Sequence, residues 1–102
     1  MSSGNEIWGR RVKEARTVAG LSQKQLGIQA GLDQFVASTR INRYELGTHK
    51  ADYQIAQRIA IILDVPTSYF YTEDDSLAEL ILLYHRLGAK KKTEVLKLLR
   101  EL

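Results

Sequence analysis

The stretch that decides the fold reads Gly20-Leu-Ser-Gln-Lys-Gln-Leu-Gly-Ile-Gln-Ala-Gly31, followed by Ser38-Thr-Arg-Ile-Asn-Arg-Tyr-Glu-Leu-Gly47. Ser22 is a good N-cap, because its hydroxyl accepts from a free backbone N–H of the first turn. Gln25, three residues on, completes a Ser-x-x-Gln capping box. Leu26 and Ala30 share a face, and Gly31 suits a left-handed helix end. A helix over Gln23–Ala30 follows. Gly27 inside it costs about 1 kcal/mol relative to Ala. Either another helix approaches closely there, or the glycine is simply tolerated.

The second segment predicts a helix from about Ser38, preferred over Asp33 as its cap, to Leu46, with Gly47 as the stop. Ile41 and Tyr44 point inward together, and Thr39, Arg40, Asn42 and Arg43 face outward. Those outward residues have the chemistry of base readout. Arg pairs bidentately with guanine, Asn with adenine, and the Thr methyl meets the thymine methyl. A lone Arg-x-Asn-Arg is more often a solvated helix face. Its place in the second helix of a helix-turn-helix pattern favours DNA.

Gly20-Leu21-Ser22-Gln23-x-x-Leu26 with Ile41-x-Arg43-x-Glu45-x-Gly47 resembles the phage repressor and Cro-like helix-turn-helix regulators, the XRE family. The resemblance runs from about Ile7 to Tyr71. It implies that Gln23 opens a bracing helix near a phosphate and that the exposed face of the next helix reads an operator. It also implies that Arg16 pairs with Glu45, tying the first helix to the recognition helix. The implied DNA-binding set is Gln23, Lys24, Ser38, Thr39, Arg40, Asn42, Arg43, His49 and Lys50. Two departures stand out. The nine residues Leu32 to Arg40 exceed the usual turn by roughly four, so Phe35 and Val36 are expected to anchor a longer turn in the core. Gly27 replaces a residue that is usually Ala.

Composition agrees with this reading. The chain has 102 residues, 44% of them hydrophobic, a net charge of +3 and no cysteine, which suits one compact domain and excludes disulfides and thiolate metal sites. Residues 1–71 hold nine Lys/Arg against six acids, and residues 72–102 six of each, so the whole excess lies in the part bearing the motif. A cationic surface that displaces phosphate counterions would look so, although the excess alone decides nothing. The two histidines, 49 and 85, make no metal-ligand spacing. No apolar run approaches the ~18 residues of a membrane span, and Met1-Ser-Ser-Gly-Asn does not open a signal peptide. A cytoplasmic protein without cofactor is expected.

The remaining chain reads as further helices. Residues 1–5 look like a loose start. From Glu6 to Ala19, Trp8, Val12, Ala15 and Ala19 form a stripe flanked by Ile7 and Val18, with Arg10, Arg11 and Lys13 mostly on the other side, expected in solvent rather than against a DNA backbone. His49 and Lys50 lie in a loop. Asp52 caps a fourth helix with stripe Ile55, Ala56, Ile59, Ala60 and Leu63. Pro66 opens a short fifth helix that tucks Tyr69 or Phe70 into the core. After an acidic hinge at 72–75, Ser76 and Glu79 form a second capping box, and Lys90–Lys92 form a solvated first turn of the last helix.

The expected architecture is therefore all-α: a five-helix repressor-like DNA-binding domain over 7–71, then two C-terminal helices in 72–102. Leu77, Leu80, Ile81, Tyr84, Val95, Leu98, Leu99 and Leu102 would form a dimer interface, or alternatively complete the monomer core. The leading reading is a sequence-specific regulator of transcription, a dimeric repressor on palindromic double-stranded DNA. The competing one is an antitoxin-type module whose tail binds a protein partner. No paired carboxylates, cysteine, phosphate loop or metal spacing points to an enzyme.

Overall fold

The computed structural model describes residues 4–102, with side chains from Glu6 onward. They form six α-helices and one 3₁₀ helix, with no strand among the described residues: α1 Gly4–Ala19, α2 Gln23–Gln29, α3 Ala37–Leu46, α4 Tyr53–Leu63, a 3₁₀ turn Thr67–Tyr71, α5 Asp75–His85 and α6 Ala89–Arg100. The body is elongated, 50 × 32 × 22 Å. The first helix starts at Gly4 rather than Glu6, and of the expected loose start residues 1–3 lie outside the described residues.

Trp8, Val12 and Ala15 of α1 are buried with Ile7, as their spacing implies. The stripe ends there, since Val18 is 81% exposed and Ala19 is exposed too. Arg11 corrects the sequence reading. It is 3% exposed, not solvated. Its Nε donates to the Thr72 carbonyl at 3.0 Å, and its Nη2 donates to the Glu73 carbonyl at 3.0 Å and Asp75 Oδ1 at 2.9 Å. The guanidinium lies 5.6 Å over the Tyr69 ring. Such a buried cation is tolerable because its donors are satisfied and one partner is a carboxylate. Arg11 thereby holds the acidic hinge onto α1. Burial raises the Tyr69 hydroxyl's pKa above its ordinary 10.0, and the nearby Glu14 charge adds to this, against an opposing pull from Arg11.

The Ser22–Gln25 capping box is present in full. Gly27 answers the question its cost raised. A Cβ there would sit 2.7 Å from Ala37 Cβ and 2.9 Å from the Ala37 carbonyl oxygen, so the glycine lets α3 start directly against α2. This close approach also moves the start of α3. Ala37, fully buried, is its first residue, and Val36 occupies the cap position with no side-chain bond. Ser38 is therefore not the cap and lies exposed in the first turn. Phe35 and Val36, expected to anchor the turn in the core, are instead exposed. The small Ala37 fills the inward position that a larger residue cannot.

Asp52 caps α4 through Ile55 N at 2.8 Å. Ala56, Ile59, Ala60 and Leu63 are buried. Pro66 precedes the 3₁₀ turn as its cap rather than as its first residue, and both Tyr69 and Phe70 are buried. Trp8 packs edge-on to Tyr44 at 5.7 Å and tilted on Phe70 at 5.5 Å, so one aromatic cluster joins α1, α3 and the 3₁₀ turn.

The tail begins on a different cap from the one expected. Asp74, not Ser76, accepts from Leu77 N at 2.8 Å, which places Ser76 inside the first turn and dissolves the Ser76–Glu79 box. Ala78 is buried, and Ile81 and Leu82 pack against the core. No residue of α6 is buried. Between α5 and α6 runs an apolar groove of about 210 Å³ lined by Leu80, Ile81, Tyr84, Val95, Leu96 and Leu99. Lys92 leans back over the Tyr84 ring at 5.5 Å instead of standing free in the solvated first turn.

Candidate nucleic-acid interface

The exposed face of α3 is held by a chain of side chains that begins on α1. Arg16 Nε and Nη2 donate to the two carboxylate oxygens of Glu45, the latter at 3.1 Å, and Nη1 donates to the Leu21 carbonyl at 2.9 Å. Gln23, the first residue of α2, donates from Nε2 to Glu45 Oε1 at 3.0 Å and to Asn42 Oδ1 at 3.1 Å. Arg16, Glu45, Gln23 and Asn42 thus form one continuous network across α1, α3 and α2. Its inner end is dry: the Glu45 side chain is 3% exposed and that of Arg16 15%. Its outer end is Asn42, which is exposed. The bidentate Arg16–Glu45 pair fixes orientation as well as distance at the inner end, and the bond from Gln23 carries the network out to Asn42.

Around Asn42, Ser38, Thr39 and Arg43 are exposed on the same helix. Arg40 behaves differently. Its Nη2 donates to the Tyr44 hydroxyl at 2.9 Å, and the guanidinium lies 5.8 Å over that ring, so it is half-buried and leaned on α3. Lys24 is exposed on α2, and His49 and Lys50 are exposed beyond Gly47. Gly47 takes φ of 77° in the left-handed region, where only glycine sits without strain; this turns the chain sharply after α3. The Thr48 and His49 amides both donate to the Arg43 carbonyl, at 3.1 and 3.3 Å. The structure therefore brings Gln23 and Asn42 together directly, sets Ser38, Thr39 and Arg43 along one helix, and leaves Lys24, His49 and Lys50 as separate exposed groups.

Two features escaped the sequence. The Gln23–Asn42 link spans 19 positions, and no spacing rule connects them. Arg11 left a signal that was passed over: it lies three residues after Trp8 and four before Ala15, squarely on the apolar stripe.

The arrangement is a helix-turn-helix unit whose second helix stands proud of its support. A helix-turn-helix family profile matches residues 12–70, and the chain belongs to this family, that of the XRE-type transcriptional regulators. Two curated relatives are similar to it, the uncharacterized HTH-type transcriptional regulators of Sinorhizobium medicae (strain WSM419) and Rhizobium meliloti (strain 1021). Each is 35% identical over 65 residues, covering 64% of this chain and 44% of the relative. The chain thus spans less than half their length. Along almost its whole length it is also similar to the crystal structure of the transcriptional regulator BswR: TM-score 0.89, 42% identity, 92% of this chain and 93% of the other.

Proposed function

We propose that this regulator is a dimeric repressor that reads a palindromic operator through the exposed face of α3. The observation that carries the reading is the Arg16–Glu45–Gln23–Asn42 network, which ends in an exposed amide on the second helix. Such an amide is the group that pairs bidentately with adenine. Arg43 and Thr39 extend the readout along α3, while Ser38, Lys24, His49 and Lys50 hold phosphates. Arg40, leaned on Tyr44, serves the interface from its edge. The tail supports the dimer: Leu80, Ile81, Tyr84, Val95 and Leu99 edge or line the groove, and Leu77, Leu98 and Leu102 lie exposed beside it. A second copy seated there buries leucines that a lone chain leaves in water, and a two-fold pair sets two recognition helices about 34 Å apart.

Binding-site selection from random duplex DNA at a fixed near-physiological salt tests this. An enriched palindrome is expected, with Asn42→Ala costing about 1–3 kcal/mol and relaxing preference at one position per half-site. Lys50→Ala weakens all sequences alike and flattens the salt dependence. Sedimentation equilibrium of Leu80→Glu should show a monomer. Absence of any enriched sequence refutes operator reading and returns the tail to a protein partner of the antitoxin type.

A further inference from the structure

Phe35 sits in the extra turn between α2 and α3, and its side chain is 86% exposed. The backbone beneath it is fixed. Asp33 Oδ1 accepts from Phe35 N at 2.8 Å, and Val36 N donates to the Asp33 carbonyl at 3.0 Å. The ring is thus held out in water by a locked turn. A single exposed apolar residue is ordinary, so exposure alone carries nothing. Position does. Phe35 stands in the turn directly before Val36, the N-cap of α3, and two residues before Ala37, its first residue. Val36, also exposed, is its neighbour. The N-terminal end of a recognition helix is the part that meets base edges, and here that end presents an apolar surface of a benzyl and an isopropyl group. The major groove offers one apolar group on a base, the thymine C5-methyl. A phosphate or sugar contact would call instead for the Lys and Ser types found elsewhere on this face.

Resting on the operator-reading assignment above, we propose that Phe35 is a further specificity-determining residue: its ring packs on the C5-methyl of one thymine in each half-site, flanked by Val36. The extra turn residues then have a function, which is to carry an aromatic ring past the start of α3. Discrimination at that base pair comes from an apolar contact, while Asn42 supplies the hydrogen bonds further along the helix.

The experiment uses the full chain and the operator that selection provides. Each thymine of a half-site is replaced in turn by deoxyuridine, which removes only the methyl group, and binding of the wild type and of Phe35→Ala is measured by fluorescence anisotropy. The wild type should lose about fourfold at one thymine per half-site, the worth of one buried methyl. Phe35→Ala should bind the thymine operator about tenfold more weakly and show no further loss on deoxyuridine at that position. Phe35→Leu should keep part of the methyl effect. Thermal melting confirms folding, which the exposed position leaves untouched. The proposal is overturned if Phe35→Ala binds like the wild type, if its deoxyuridine penalties match the wild type's at every thymine, or if the selected half-site has no thymine. In each of these cases a selected operator still upholds DNA reading by α3. A selection that enriches nothing overturns both.

Discussion

Replacing Arg16 by Met isolates the interaction that ties α1 to the proposed recognition face of α3. The substitution keeps most of the aliphatic volume and removes the guanidinium. Glu45, with 3% of its side chain exposed, would be left with a buried charge whose only remaining contact among those above is the Gln23 amide at 3.0 Å. Breaking a buried pair by removing one partner costs about 3–5 kcal/mol. The surviving amide bond moderates that, and the lost bond to the Leu21 carbonyl adds about 1 kcal/mol. A destabilisation of about 4 kcal/mol is expected, a large part of the roughly 5–15 kcal/mol available to a domain of this size. Glu45→Met should cost less, about 2 kcal/mol, because Arg16 is more exposed and keeps the Leu21 carbonyl. The double variant should be more stable than Arg16→Met alone, since no charge is then stranded. Urea unfolding of the four proteins gives the cycle. A cost below about 1 kcal/mol for Arg16→Met, or a double variant as unstable as the two singles added together, would refute the picture of a dry, coupled pair.

Gly27→Ala should destabilise by about 1–3 kcal/mol in spite of Ala's better helix propensity, because its Cβ would meet Ala37 Cβ at 2.7 Å and the Ala37 carbonyl at 2.9 Å; a rise in melting temperature would show that α2 and α3 separate freely. Tyr69 links stability to alkaline pH. Its folded pKa is raised above 10.0, so the folded chain holds this proton more tightly than the unfolded one, and stability present below pH 10 falls as pH rises from there through the folded value. Tyr69→Phe should remove that share of the alkaline loss, and denaturant midpoints between pH 9 and 11 that fall equally in both proteins would count against it.

What could be read from the sequence was what short-range rules govern. The Ser22–Gln25 box and the Asp52 cap depend on neighbours within one turn, and they form as read. Apolar periodicity located the longer helices, while cap and proline signals placed α2 and the 3₁₀ turn. It failed where two local readings competed. Ser76 and Asp74 are both good caps two residues apart, and it is Asp74 that caps the helix, between Glu73 and Asp75, which bond to Arg11 of α1. It failed also for Phe35 and Val36, because an apolar residue says nothing of whether room exists inside. The space beneath the turn is taken by Ala37 pressed on Gly27. Arg11 shows the converse error, a charge placed outside by type although its position lay on the stripe. The Gln23–Asn42 contact was beyond any of these rules, since it exists only once α2 and α3 have crossed.

The first helix, which carries none of the residues proposed to read bases, does much of the positioning. Through Arg16, α1 orients Glu45 and so the outer face of α3. Through Gly9, where any side chain would collide with the carbonyl oxygens of Tyr44 and Glu45, it lets the end of α3 lie directly on it. Through Arg11, with Arg10 adding a bond to Asp75 at 3.2 Å, it fixes the hinge from which α5 departs. Both α3 and the start of α5 are therefore tied to α1. A rod with 1.5 Å rise per residue and internal hydrogen bonds transmits position without a flexible joint. The angle between the α3 face and α5 is set by α1 over residues 9–16 together with the 3₁₀ turn and the contacts of His85 and Arg86 with Asp64. In the two-fold pair proposed above, that angle would set how far apart the two α3 helices stand, and with it the half-site spacing of the proposed operator.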